Sequence, residues 1–111
     1  MIKKMIVSCS VLCVFAAASA MAEDGQAIFN AKCAICHGKD GKGQTKMGER
    51  AGTKDMTDAS YLAKFTDEQL LKTLKEGLKD GDKTKMKAYA TILSDEELKA
   101  AIAYVRTFAK K

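Results

Sequence analysis

Proline is absent from this chain of 111 residues, histidine occurs once, and no repeat, low-complexity tract or long linker breaks it up. Without proline, no loop is stiffened by a locked φ angle. Past residue 22 only two cysteines remain, so with the single histidine the usual nitrogen and sulfur donors number three, short of the four that a closed zinc centre takes. No segment reads as a strand, which excludes the βαβ setting that a redox-active C-x-x-C pair expects. A long face of one charge is also missing, because acids are interspersed among the lysines, and nucleic-acid binding is therefore not expected.

The one long apolar run lies at the start. Lys3 and Lys4 precede Met5 to about Ala18, and small residues follow as far as Ala20, Met21 and Ala22, the three parts of a secretory signal. Cleavage after Ala22 is expected, so that residues 1–22 are the signal, residues 23–111 form one domain, and Cys9 and Cys13 leave with the signal. A retained membrane anchor is the alternative, but the run from 5 to 22 is short for a span and contains serines. Cys9 loosely resembles a lipoprotein acceptor, yet it follows Lys4 by only five residues, too early for a working apolar region. The expected product has 17 Lys plus Arg against 14 Asp plus Glu, a net charge of +3, and is exported to the periplasm. A mild basic bias of this kind suits docking to acidic protein surfaces.

Three segments carry helical signals. Asp24 is placed to cap a first helix that runs through Ile28 and Phe29. Thr66 with Gln69 has capping-box spacing, Leu70, Leu71, Leu74 and Leu78 recur at helical intervals, and Gly77 is a stop signal. Ser94 with Glu97 repeats the device ahead of a stripe of Leu98, Ala101, Ile102, Val105 and Phe108. Polar loops rich in glycine and lysine join these helices, and the fold class expected is all-α. Long loops without structure of their own need an organising body, and a large flat apolar group at the centre would supply one.

The chemistry concentrates in CAICH, residues 33–37. With zinc and a redox disulfide disfavoured as above, C-x-x-C-H is the signature of covalent haem attachment. Two residues between Cys33 and Cys36 set both sulfurs on one side of a helical turn, where each can form a thioether with a porphyrin vinyl group. His37 then becomes an axial iron ligand, with its other ring nitrogen expected to donate to a backbone carbonyl. For the opposite axial position the residues alone leave Met47, Met56, Met86 and the lysines open. A filled sixth position makes an electron carrier and no enzyme; an open one would make a haem sensor or a peroxidase-like enzyme. A purely structural C-x-x-C module is a further alternative.

With these motifs the chain resembles the class I cytochromes c, small soluble carriers with one haem. The resemblance covers nearly all of residues 24–110: DGQAIFNAKCAICHGKDGKG, TDEQLLKTLKEGL, the methionine in KTKMKAY, and SDEELKAAIAYVRTFA, in that order. It implies a cytochrome c fold, three to four short helices with long loops wrapped around one covalently bound haem c and its iron. It implies that Gly25 and Phe29 of the first helix meet Tyr104 of the last, and that Met86 is the sixth ligand, since it stands in the loop before the last helix and is followed by Ala88 and Tyr89. A neutral thioether favours ferrous over ferric iron, so His/Met ligation implies a fairly positive potential. Lys87 stands where the family commonly has proline, and no Gly-Pro pair is present to accept from His37. Redox proteins with acidic docking surfaces are the implied partners, with transient contact to membrane-bound redox complexes and a monomeric carrier. Lys39, Lys42, Lys46, Lys83, Lys85 and Lys87 fall in the loops flanking the ligands and would steer such partners. Leu98, Ile102 and Val105 are expected in the core and haem pocket, and Tyr61, Phe65 and Tyr89 are candidates to pack on the porphyrin.

Overall fold

The computed structural model describes residues 24–110, so the expected signal segment and its cleavage point lie outside the described residues. Helix α1, residues 24–37, is α-helical over 24–28, widens to a π-turn over Phe29–Cys33 and returns to α over Ala34–His37. The widening shows in the backbone, where the Ala34 N–H bonds the Phe29 carbonyl five residues back. Asp24 already lies inside the helix, so the capping role expected of it is not seen among the described residues.

Helix α2 spans Lys46–Ala51 and α3 spans Ala59–Leu62, both in stretches that carry no apolar periodicity. Helix α4, Asp67–Glu76, and helix α5, Asp95–Arg106, each open with a complete capping box, Thr66 with Gln69 and Ser94 with Glu97. Both side chains of each box accept a backbone N–H, so two otherwise orphaned donors are satisfied at each start. Gly77 ends α4 as its spacing predicts. A 3-10 turn, Phe108–Lys110, follows α5.

One element departs from the all-α expectation. Leu78–Asp80 (β1) and Lys83–Met86 (β2) pair antiparallel as a hairpin, with Leu78 opposite Met86 and Asp80 opposite Lys83. Its residues are almost all exposed, so no buried face imposed the period-2 pattern by which strands are read. The fold remains predominantly helical.

The core lies where the two ends of the chain cross. Phe29 of α1 packs its ring 5.5 Å from that of Tyr104 and 5.2 Å from that of Phe108, and Met56 and Leu62 complete the cluster. Gly25 touches α5 directly: a Cβ there would run into the Ala100 carbonyl and stand 3.1 Å from Tyr104 Cβ. The crossing implied by the resemblance is therefore present. Leu98, Ala101, Ile102 and Phe108 are buried and Val105 packs partly against the cluster, in line with the expected stripe. The α4 stripe is different, since none of its residues is fully buried.

Arg106 joins α5 to the segment ahead of α4. Its guanidinium donates to the Leu62 and Phe65 carbonyls at 2.9 and 2.7 Å and to the Asp67 carboxylate at 3.0 Å. The carbonyl bonds matter more than the ion pair, because Asp67 is largely exposed and exposed pairs contribute at most about 1 kcal/mol. Among the described residues, no helix is long and apolar enough to cross a membrane.

Candidate functional site

Next to the core, where the Phe29 ring lies 6.1 Å from that of His37, a cleft of about 520 Å³ opens between the end of α1, α2 and the hairpin. Cys33, Cys36 and His37 line it from α1, Met47 from α2, and Leu78, Met86 and Tyr89 from the hairpin and the segment after it. A hollow of about 670 Å³ lies between the start of α1 and α5, but Asp24, Glu96, Glu97 and Lys99 around it bring no sulfur or imidazole.

Local bonding holds the attachment motif in place. Thr45 caps α2 by accepting the Gly48 N–H at 2.8 Å, and its hydroxyl donates to the Cys36 carbonyl at 2.7 Å. Gly48 permits that contact: a Cβ there would strike the Cys36 carbonyl and stand 2.6 Å from the Gly43 carbonyl. The chain after His37 then turns back so that the Gly43 N–H meets the His37 carbonyl at 2.8 Å. Sequence reasoning missed Thr45 and Gly48. The threonine is an ordinary N-cap, but position N3 holds glycine in place of the Glu or Gln that would have signalled a capping box.

Cys33 and Cys36 form no disulfide. Burial, and after it the proximity of Cys36, pushes the Cys33 thiol up from 9.0 to about 11, so it is protonated near neutrality. Catalytic C-x-x-C pairs show the reverse shift, toward the thiolate. Burial also lowers the His37 pKa, which keeps the imidazole neutral and able to ligate a metal. Its Nδ1 is buried and has no hydrogen-bond partner, so the backbone acceptor expected from the sequence is not found.

The methionines divide by position. Met56 is buried in the aromatic core, whereas Met47 and Met86 line the cleft. Of the aromatic candidates, Tyr61 and Tyr89 line the cleft, while Phe65 packs edge-on against Tyr61 at 5.4 Å. Leu98, Ile102 and Val105 belong to the core and do not line it. Of the six lysines expected around it, Lys85 and Lys87 line the cleft, joined by Lys32 and Lys54, whereas Lys39, Lys42 and Lys46 do not, and Lys83 donates to the Arg50 carbonyl at 3.0 Å and ties the hairpin to α2.

Residues 20–105 match the family model described as cytochrome C oxidase, cbb3-type, subunit III. The chain belongs to this family of c-type cytochromes. It is 35 % identical over 86 residues to the cbb3-type cytochrome c oxidase subunit FixP of Azorhizobium caulinodans, covering 78 % of this chain and 27 % of FixP, so it spans about a quarter of that relative's length. The solved KustC0563 c-type cytochrome superposes with a TM-score of 0.69 at 34 % identity, covering 77 % of this chain and 96 % of the other. A point mutant of the same cytochrome gives a TM-score of 0.68 at 35 % identity, with coverage of 77 % and 98 %.

Family membership makes this an electron-transfer haem protein with covalently bound haem c and its iron. The cleft of this cytochrome fits such a group. Among the described residues the exposed large apolar side chains are Ile35, Met47, Leu78 and Ile92, and the first three line the cleft. Side chains of this kind gather where an apolar body covers them. Two cysteines, an imidazole and a thioether on the same walls match the donor set that haem c uses.

Proposed function

We propose that this cytochrome is a single-electron carrier in which Cys33 and Cys36 bind the haem through thioethers and His37 and Met86 are the axial ligands. The observation that carries this reading is the convergence of those four side chains on one apolar cleft. When bound, the haem supplies an iron that accepts and releases one electron. The polypeptide does the rest. Cys33 and Cys36, successive turns of one helix, fix the ring in the cleft, and Thr45 holds the Cys36 carbonyl so that the motif keeps its shape.

His37 binds in its neutral form, which burial favours. Met86 is preferred to Met47, the other cleft methionine, because it is partly buried at the end of β2 while Met47 is exposed on a short helix. Two filled axial positions leave no site for substrate, so no enzymatic activity is assigned. Leu78 and Tyr89 exclude water from the methionine side, and Lys32, Lys54, Lys85 and Lys87 present positive charge on the rim to acidic sites of redox partners. Residues 1–22 act as an export signal cleaved after Ala22, which delivers residues 23–111 to the periplasm as a monomeric carrier that touches membrane-bound redox complexes transiently.

Replacing Met86 tests the assignment. Met86→Ala is expected to keep covalent haem, to lose the methionine-to-ferric-iron charge-transfer band in the far red, to lower the reduction potential and to gain carbon monoxide binding. A native protein that already binds carbon monoxide readily and lacks the band would favour the sensor or peroxidase-like reading instead.

A further inference from the structure

The wall that carries Met86 is seated against the end of α4 at Gly77. Gly77 terminates α4 with φ +77° and ψ −175°, a conformation that glycine adopts freely and other residues do not. Its α-carbon lies against the strand leaving the hairpin. A Cβ there would stand 2.6 Å from the Met86 carbonyl oxygen, 2.8 Å from the Ala88 nitrogen and 2.9 Å from the Lys87 carbonyl carbon. All three are backbone atoms, so no rotamer change relieves the collision.

The span around Met86 has little slack. On one side Leu78, the residue after Gly77, pairs with Met86 across the hairpin, with an irregular step in the ladder next to it. On the other, Tyr89 donates its N–H to the Leu74 carbonyl at 2.9 Å and its hydroxyl to the Lys32 carbonyl at 3.0 Å. Residues 86–88 are therefore pinned between α4 and α1, and a displacement forced at Gly77 must move Met86. The hairpin tip provides a contrast: Gly81 also has positive φ, at +61°, but a Cβ on it would meet nothing within 4 Å.

We propose that Gly77 is the positioning residue for Met86, its missing side chain letting the 86–88 backbone seat on α4 and so setting how far the thioether reaches into the cleft that His37 lines. This rests on the reading of Met86 as an axial ligand. A side chain at residue 77 pushes the ligand strand outward, while one at residue 81 only strains a turn.

The experiment compares native, Gly77→Ala, Gly81→Ala, Met86→Ala and Gly77→Ala/Met86→Ala proteins, each matured with haem. The readouts are the far-red charge-transfer band, the midpoint potential and the melting temperature. Gly81→Ala is expected to melt earlier with band and potential unchanged. Gly77→Ala is expected to lose most of the band, and its potential falls by at least about 59 mV, the one-electron equivalent of a tenfold change in preference for ferrous iron. In the Met86→Ala background the same substitution leaves the potential where it was, because the two act through one bond.

Retention of band and potential in Gly77→Ala, or equal loss in Gly81→Ala, overturns the proposal while the Met86 assignment stands. So does failure of Gly77→Ala to yield holoprotein, which would make Gly77 a residue of the fold alone. A native protein without the band removes both readings together.

Discussion

Phe29 and Ile35 stand six residues apart on one helix and end in opposite surroundings. Phe29 is 1 % exposed among Tyr104, Phe108, Met56 and Leu62, a core that the polypeptide closes by itself. Ile35 is 68 % exposed, and the cleft it lines is apolar on walls that the chain does not bring together. The same contrast separates the two connections to the rest of the fold: aromatic rings in edge contact at the helix crossing, and an exposed hairpin held to α2 by Lys83 at the cleft. One region is packed by the polypeptide, and the other leaves apolar side chains for a bound haem to cover. For a domain this small, the apolar area of a bound haem is a large addition to a limited core.

The strongest way to break the contrast is to remove the proposed attachment points. Cys33→Ala/Cys36→Ala is expected to yield chain of polypeptide mass with no cooperative thermal transition, read by intact mass spectrometry and circular dichroism. A sharp melt in that material would show that the helix crossing folds alone and that the dependence assigned to the cleft is wrong. Next in size is Phe29→Ala in the haem-bearing protein, where truncating a fully buried ring costs about 3–5 kcal/mol in denaturant titrations. Its far-red band should survive, since Met86 stands on the hairpin and outside the Phe29 cluster; a lost band would mean that the contact of Phe29 with His37 carries core disruption into the cleft.

The smallest effect concerns charge. Lys85→Glu/Lys87→Glu should leave the melt within about 0.5 kcal/mol of native, as surface substitutions do. It should flatten or invert the salt dependence of electron exchange with an acidic redox partner, because exposed charges act over about a Debye length. An unaltered salt dependence would remove these lysines from docking.

The parts legible beforehand were those governed by neighbours in sequence. Thr66–Gln69 and Ser94–Glu97 were readable because a capping box is a four-residue device whose bonds form locally. The spacing of Cys33, Cys36 and His37 was readable for the same reason, and the meeting of Gly25 and Phe29 with Tyr104 came through resemblance. The hairpin was not, because Lys79, Asp80, Asp82, Lys83 and Lys85 alternate no apolar face and its register follows from the turn at Gly81 and the pairing of Leu78 with Met86. Helix α2 escaped notice because its cap partner is a glycine chosen for contact with Cys36, nine residues from Thr45. Among Met47, Met56 and Met86, composition could not choose, and only packing sent Met56 into the core.

By itself the sequence determined the spacing of the C-x-x-C-H motif and the helix starts, since both reside in a few consecutive residues and their hydrogen-bonding reach. The tertiary structure decided which methionines face the cleft, which lysines stand on its rim and why residue 77 has no side chain. Each of those depends on backbone segments far apart in the chain approaching within van der Waals distance, and no local pattern encodes that approach.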